Sequence, residues 1–424
     1  MSSEPEPRVY RRRVFYVPGY DPSHPRRYRE LYRKEGAEQA RISGYQLRLS
    51  AAQGAGPFGW TVNATIDGAE IETRFSVLVW SDLVRESMDG SILTTYRHLL
   101  RTAWTYIASG ALWRLMQLRK GPVIAALYPV GILLLQLLAA VGFGWAVGSV
   151  LSCGLNELER GLRPLPHREI AVVAIQLAAF VAGVLVALAL LRWFRALDGR
   201  VFAYYLMHDY AYAAQENGAY PPALEARIAR FADLLADAMQ QDVDEVLLVG
   251  HSSGAHLGVS LLADLLRAGR LSQDRPALGF LSLGQAIPMQ SFLPDAHRLR
   301  ADLHDLSAQD RIAWVDVTAP GDGCAFALCD PVAVSGVAPE DKRWPLVLSA
   351  AFTRTLSPER WKAMRWRFFR LHFQYLCAFD HPGEYDYFRV TAGPLTLASR
   401  FSGRQGSPSR IERAVSKYTG MSRS

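Results

Sequence analysis

A serine between two glycines lies where a strand pattern meets a helix pattern. Glu245–Val249 (EVLLV) is a short apolar run that predicts a buried strand, and residues 254–268 have the apolar spacing of a helix. Between them, residues 250–254 read GHSSG, a G-x-S-x-G motif. Small flanking residues allow a sharp strand-to-helix turn, which exposes Ser252 near the positive end of the helix. We therefore predict that Ser252 is a nucleophile.

A serine nucleophile needs a histidine base, which in turn needs an orienting carboxylate. After a strand–serine–helix turn the acid follows the serine, and the histidine follows the acid. Of the ten histidines, His372 and His381 come late enough in the chain. His372 lies in an aromatic run that would hold an imidazole in one rotamer, so we favour it as the base. His381 lies in a turn (DHPG) and is the alternative.

The acid is expected just beyond the end of a strand. Ile312–Val317 predicts a strand that runs into the turn TAPGDG, which contains Asp322. We favour Asp322 as the acid. Asp316, inside the strand, and Asp330, farther along the chain, are the alternatives.

An oxyanion hole needs two backbone N–H groups that point at the developing negative charge. Ser253, directly after the nucleophile, is expected to supply one. The other is expected from the loop after the predicted strand Val14–Val17, where the chain reads PGY. Because the proline has no N–H, Gly19 or Tyr20 must donate.

The elements that position these residues alternate between strand and helix patterns. Predicted strands lie at 14–17, 45–50, 60–66, 71–80, 245–249, 278–283 and 312–317, and predicted helices at 25–39, 222–241 and 254–268. Asp67 and Gly68 form a hairpin turn signal between two of the strands. This alternation predicts an α/β fold with a mostly parallel sheet and helices on both faces.

Two uncharged apolar runs interrupt this pattern. They are Val123–Leu151 and Ile170–Leu191, and each exceeds the roughly 20 residues that a helix needs to cross a bilayer. They predict a two-helix transmembrane hairpin. The helical pattern that precedes them suits an amphipathic helix in the headgroup layer, with Trp104, Tyr106 and Trp113 as anchors. The alternative is a helix packed on the soluble part of the chain.

The positive charge of the protein is concentrated at its two ends. The formal net charge is +7, with 47 Lys and Arg against 40 Asp and Glu. Residues 1–41 are net +4 and residues 400–424 net +5, so the 358 residues between them sum to −2. A nucleic-acid-binding protein more often concentrates charge on a recognition helix or groove. We therefore expect no nucleic-acid partner and favour an anionic membrane surface.

The charges that flank the hairpin predict its orientation. Seven basic residues lie outside the two spans and three lie in the link between them. The seven are Arg101, Arg114, Arg119, Lys120, Arg192, Arg195 and Arg200, and the three are Arg160, Arg163 and Arg168. This excess predicts that the soluble domain and both termini are cytoplasmic.

The four cysteines exclude a disulfide framework, and no Cys or His spacing resembles a zinc site. We predict neither a metal nor a cofactor.

With the elbow, the acid and the late histidines in place, the chain resembles the α/β-hydrolase superfamily, specifically lipase- and esterase-like members with a G-H-S-x-G elbow. The resemblance implies an α/β-hydrolase-like sheet and assigns the site residues as nucleophile Ser252, acid Asp322, base His372 or His381, and oxyanion donors Ser253 with Gly19 or Tyr20. The chain departs from the family in three places. Pro18-Gly19 stands where the family has His-Gly, and the interval between the predicted strands 278–283 and 312–317, where such enzymes often carry a lid, is short. The insertion instead lies before the nucleophile strand and is the predicted membrane hairpin.

Together these patterns predict a membrane-tethered serine hydrolase that cleaves a carboxylic ester or thioester through an acyl-enzyme. Its substrate is expected to be lipid-like, a hydrophobic or amphiphilic acyl compound, and its partner the lipid bilayer. The alternatives are a non-catalytic membrane scaffold on a hydrolase fold and an acyltransferase that uses the same residues. The predicted segments are 1–95 and 196–400 for the hydrolase domain, 96–195 for the membrane insertion, and 401–424 for a basic, flexible tail.

Overall fold

An eight-stranded sheet is the centre of the protein in the computed structural model, which describes residues 8–52, 56–88, 90–161, 168–271 and 276–422. The strands in chain order are β1 (Arg11–Val17), β2 (Gln46–Ala51), β3 (Gly59–Ile66), β4 (Ala69–Val77), β5 (Glu245–His251), β6 (Ala277–Leu283), β7 (Ile312–Thr318) and β8 (Leu346–Ser349). Across the sheet their order is β2-β3-β4-β1-β5-β6-β7-β8.

The sheet is mostly parallel, as predicted. β3 pairs antiparallel with β2 and β4, and the other neighbouring strands pair in parallel. The carboxyl ends of β1, β5, β6 and β7 therefore lie along one edge. The loops that follow these four strands are neighbours in space, although the chain separates them widely.

The described residues also form 18 α-helices and one 3₁₀ turn. The helices are α1 (Arg26–Ser43), α2 (Ser81–Met88), α3 (Ile92–Ala108), α4 (Ala111–Leu118), α5 (Lys120–Gly161), α6 (Arg168–Ala196), α7 (Asp198–Val201), α8 (Ala203–Ala214), α9 (Pro222–Met239), α10 (Gly254–Arg267), α11 (Ile287–Ser291), α12 (His297–Ser307), α13 (Pro331–Val334), α14 (Phe352–Thr355), α15 (Pro358–Met364), α16 (Phe368–His372), α17 (Tyr387–Ala392) and α18 (Leu397–Arg400), and the 3₁₀ turn is Gln374–Leu376.

Helices cover both faces of the sheet. Successive strand residues point to opposite sides, and the central strands have apolar residues on both sides that the helices bury. On one face, Tyr16 of β1 and Leu247 of β5 belong to the same buried cluster as Tyr32 of α1. On the other face, Leu248 and Phe280 lie against α10. The α/β architecture with two helical layers is therefore confirmed.

A buried ion pair joins the two central strands. Arg12 Nε of β1 lies 2.5 Å from Glu245 Oε2 of β5, and both side chains are almost inaccessible to water. The remaining Arg12 nitrogens donate to the carbonyl oxygens of Gly393 and Leu395. Buried charges are tolerated when they are paired and hydrogen-bonded in this way. The pair fixes the strand that precedes Gly19 against the strand that precedes Ser252.

The predicted strands are all present, with ends shifted by up to three residues. Asp67 and Gly68 have φ values of 54° and 76°, which form the tight hairpin turn expected between β3 and β4. β8 was not predicted. It has only four residues, LVLS, and its two end residues are only half-buried.

Two long apolar helices form most of a second compact unit, which comprises residues 88–102 and 126–212. Lys120–Leu155 and Val172–Ala196 are long and apolar enough to cross a membrane. α5 and α6 extend beyond both predicted spans. The two helices meet closely at small residues, since a Cβ at Gly144 would lie 2.5 Å from the carbonyl oxygen of Gly183. Arg163 of the predicted link lies outside the described residues.

The segment before α5 has two different faces. Tyr106, predicted as a membrane anchor, is instead buried and donates to the carbonyl oxygen of Met289. Trp104 and Trp113 are exposed, as an interfacial anchor requires. Residues 103–125 also belong to the unit that contains the sheet, whereas residues 88–102 and 126–212 form the other unit, so the bounds of the two units differ from those of the predicted insertion 96–195. One face of this segment, with Tyr106, packs on α11, and the other, with Trp104 and Trp113, is exposed.

The C-terminal segment does not behave as the predicted flexible tail over 401–424. The N–H of Ser407 donates to the carbonyl oxygen of Val347, and Ile411 exchanges backbone hydrogen bonds with Leu328 and Asp330. Val415 is buried and donates to Val334. Backbone pairing and the buried side chains of Phe401 and Val415 fix the segment despite its charge. Residues 423–424 and 1–7 lie outside the described part.

Candidate active site

The predicted nucleophile lies at a tight turn between β5 and α10. Ser252 has a φ of 56°, in the left-handed region that a non-glycine residue seldom adopts. Its N–H donates to the carbonyl oxygen of Leu283, at 2.9 Å, and this bond fixes the turn to the end of β6. A Cβ at Gly254 would lie 2.2 Å from the carbonyl oxygen of Val17. The glycine is therefore required for α10 to approach β1.

The loop after β1 packs directly on this serine. A Cβ at Gly19 would lie 2.9 Å from Ser252 Cβ and 3.4 Å from Ser252 Oγ. Within the part of the chain that the structure describes, no group accepts a hydrogen bond from the N–H of Gly19 or of Ser253. Both N–H groups are thus unengaged among the described residues, as an oxyanion donor requires. The Tyr20 side chain is buried, and its hydroxyl lies 2.5 Å from Ser87 Oγ.

The favoured acid and base form a direct hydrogen bond. His372 Nδ1 lies 2.7 Å from Asp322 Oδ2, and both side chains are buried. The same carboxylate oxygen accepts from the Tyr375 hydroxyl at 3.0 Å, and its other oxygen accepts from the Cys324 N–H at 2.8 Å. These contacts hold the carboxylate in one orientation. The imidazole then directs its second nitrogen away from Asp322.

That second nitrogen, His372 Nε2, is buried and has no hydrogen-bond partner among the described residues. A buried polar atom without a partner is costly in a folded protein. An arrangement of this kind is typical of a base that awaits a proton from a substrate or nucleophile.

Ser252 and His372 both contact the segment at the end of β6. The N–H of Ser252 binds Leu283, and a Cβ on the next residue, Gly284, would lie 3.1 Å from His372 Cε1. No hydrogen bond joins Ser252 to His372 in the described structure. The structure therefore pairs acid with base and places the serine nearby, without the serine–histidine contact. That contact is often long until substrate binds.

His251 packs against the favoured base and binds its backbone. Its ring centroid lies 4.7 Å from that of His372, and its Nε2 donates to the His372 carbonyl oxygen at 3.0 Å. Burial, with a smaller contribution from His372, lowers the pKa of His251 to about 3. His251 is therefore neutral at physiological pH and adds no positive charge beside the base.

The alternative residues lie in other environments. His381 is exposed in its turn, and no hydrogen bond of the described residues joins its ring to an acid. Asp316 is buried and accepts from Ser282 Oγ at 2.6 Å, and burial raises its pKa to about 8. Asp330 caps α13 and pairs with Lys342. Asp322 and His372 are the predicted acid and base that the structure brings together.

Three of these groups could also approach a metal ion. Ligand atoms of Asp322, Cys324 and His372 lie within 4.8 Å of one another. The direct hydrogen bond between Asp322 and His372 already engages one polar atom of each of these two side chains. The geometry therefore fits an acid–base pair better than a ligand set.

Sequence reasoning missed both Tyr375 and His251 as residues that contact the acid–base pair. Tyr375 follows His372 by three residues, a spacing that places both side chains on one side of a helical turn. Burial and Asp322 raise the pKa of Tyr375 well above its usual value, so the residue remains a hydrogen-bond donor.

Searches against protein families, curated proteins and solved structures found no match to this chain.

Proposed function

We propose that this protein is a membrane-tethered serine hydrolase with an α/β-hydrolase-like fold. The observation that carries the proposal is the 2.7 Å hydrogen bond between Asp322 and His372, next to a serine with positive φ. An oriented imidazole whose outer nitrogen is unpartnered is the group that a serine nucleophile requires. The proposed substrate is a carboxylic ester or thioester.

In the proposed mechanism, Ser252 Oγ attacks the acyl carbon as its proton passes to His372 Nε2. Asp322 stabilises the resulting imidazolium through Nδ1. The N–H groups of Gly19 and Ser253 bind the negative oxygen of the tetrahedral intermediate. His372 then protonates the departing alcohol or thiol, and an acyl-serine remains. Water, deprotonated by the same nitrogen, attacks the ester and releases the acid.

An amphiphilic substrate is favoured by the position of α5. Gly121, in its first turn, lies against the site loop, because a Cβ there would be 3.3 Å from Gly323 Cα. Gly323 directly follows the proposed acid Asp322. A helix apolar enough to enter a bilayer thus starts beside the site, which favours an acyl substrate taken from the membrane. The flanking charges support a cytoplasmic position for the sheet unit and both termini.

A fluorophosphonate probe tests the nucleophile. Membranes containing the wild type should be labelled covalently, whereas Ser252→Ala should not be labelled. Ser402→Ala, which removes an exposed serine hydroxyl, is the matched control and should be labelled like the wild type. Equal labelling of wild type and Ser252→Ala would refute the proposal.

The same assay tests the base. His372→Ala should abolish labelling, whereas His381→Ala should retain it. The reverse result would move the base to His381. Absence of labelling in every form would favour the non-catalytic scaffold. If labelling occurs, supplying an alcohol with an ester substrate separates hydrolysis from acyl transfer, since only the latter forms a new ester.

A further inference from the structure

An arginine- and aromatic-rich stretch leads into the helix that carries the proposed base. Residues 362–370 read KAMRWRFFR, and we call them the basic aromatic segment. Trp366 is 72% exposed and Phe368 46% exposed. The four basic side chains of the segment are exposed too, and none pairs with a carboxylate within the described structure; they are Lys362, Arg365, Arg367 and Arg370.

This segment lies beside the start of α5. Phe368 is the first residue of α16, and a Cβ at Gly323 would lie 3.1 Å from its ring. Gly323 also contacts Gly121 in the first turn of α5. One loop residue is therefore in contact with the basic aromatic segment on one side and the apolar helix on the other. Arg119, just before α5, and Lys120, its first residue, extend the positive charge.

The composition indicates what covers the surface. Exposed Trp and Phe side chains with interspersed arginines are typical of elements that lie in the headgroup region. An acidic protein partner would account for the charges. It would not account for the contact with a helix that enters a bilayer. A membrane surface accounts for both kinds of side chain, because the aromatic rings can reach the acyl boundary while the guanidinium groups bind lipid phosphates.

We propose that the basic aromatic segment binds the anionic headgroup layer of the membrane that α5 enters, and so holds the base-carrying helix α16 on the lipid surface. The inference rests on the proposed membrane tether and does not require hydrolysis. It deepens the proposed function, because it places the site against anionic phospholipid.

Quenching of tryptophan fluorescence by brominated lipid tests this contact. The full-length protein is reconstituted in phosphatidylcholine bilayers with and without 25% phosphatidylglycerol, with dibromo acyl chains. The difference between wild type and Trp366→Phe isolates the Trp366 signal. We expect that signal to be quenched, at least twofold more strongly with phosphatidylglycerol. Replacing Arg365, Arg367 and Arg370 together by Gln should remove the dependence on phosphatidylglycerol.

A matched control removes three exposed arginines elsewhere, Arg48, Arg230 and Arg311, with the same change in net charge. This variant should retain the lipid dependence. The proposal is overturned if Trp366 is not quenched, if phosphatidylglycerol has no effect on the wild type, or if both triple variants lose the effect equally. All measurements are made in the Ser252→Ala background as well. A loss of quenching is then distinguishable from a failure of the hydrolase proposal, which probe labelling reports separately.

Discussion

Replacement of Asp322 by Asn gives the sharpest test of the acid–base pair. The Cys324 N–H donates to Asp322 Oδ1, so the amide of Asn should keep its oxygen at that position. Its NH₂ group would then face His372 Nδ1, where the carboxylate oxygen now accepts a hydrogen bond. Donation to Nδ1 would move the imidazole proton to Nε2. An Nε2 that already carries a proton cannot accept one from Ser252.

The size of the effect follows from this change of tautomer. In serine hydrolases with intact geometry, loss of the correct tautomer lowers kcat by about 10⁴-fold, or about 5.4 kcal/mol of transition-state stabilisation. We expect that loss here in kcat, with KM changed by less than about threefold because substrate contacts are retained. The assay is steady-state hydrolysis of a p-nitrophenyl ester by the full chain in phospholipid bilayers.

Asp316→Asn is the matched control. Asp316 is also buried beyond the middle of β7, but its raised pKa keeps it neutral at pH 7, so an amide preserves its charge and its bond with Ser282. We expect kcat within a few-fold of wild type. A kcat for Asp322→Asn within tenfold of wild type, in protein with an unchanged melting temperature, would refute the assignment of the acid.

Two further predictions concern the oxyanion loop and the buried carboxyl group. Gly19→Ala should lower kcat by about 10²-fold, because the new Cβ at 2.9 Å displaces the loop and its N–H; Gly199→Ala, where a Cβ meets open space, should retain activity. Asp316→Asn should stabilise the fold increasingly as pH rises. The native pKa of about 8 exceeds the unfolded value, so the wild type binds more protons when folded and loses up to about 1.4 kcal/mol of stability per pH unit between roughly pH 4 and 8. Thermal unfolding at pH 5 and pH 8 measures this, and a constant difference between the two proteins would contradict it.

Much of the candidate site follows from chain order and strand position. Asp322 was placed beyond β7 by the apolar run that precedes it, and parallel strands bring their carboxyl ends to one edge. The aromatic surroundings of His372 distinguished it from His381, because a packed imidazole has one rotamer. Local pattern was sufficient to predict that Asp322 and His372 lie together, and their catalytic roles stay predictions.

Contacts that depend on packing between distant segments were not predictable. His251 is adjacent to Ser252 in sequence, yet its contact is with His372, 121 residues later in the chain. The C-terminal segment offers little apolar pattern, and its order comes from backbone pairing with Leu328 and Val347. Tyr106 is of a residue type that often anchors helices at a membrane surface, but its hydrogen bond to the carbonyl oxygen of Met289, in a helix distant in sequence, determines its position.

The central position of β1 has a consequence for the order in which the chain folds. β1 can pair with β4 soon after synthesis, but β5, its partner on the other side, begins only at Glu245. Both long apolar helices are synthesised in the interval. The partial sheet of β1 to β4 therefore has an unpaired β1 edge until β5 is synthesised. Such an edge is a site of aggregation in partly folded chains. Gly19 meets Ser252 only when that edge closes, so a nascent chain acquires its candidate site after its apolar helices have already emerged.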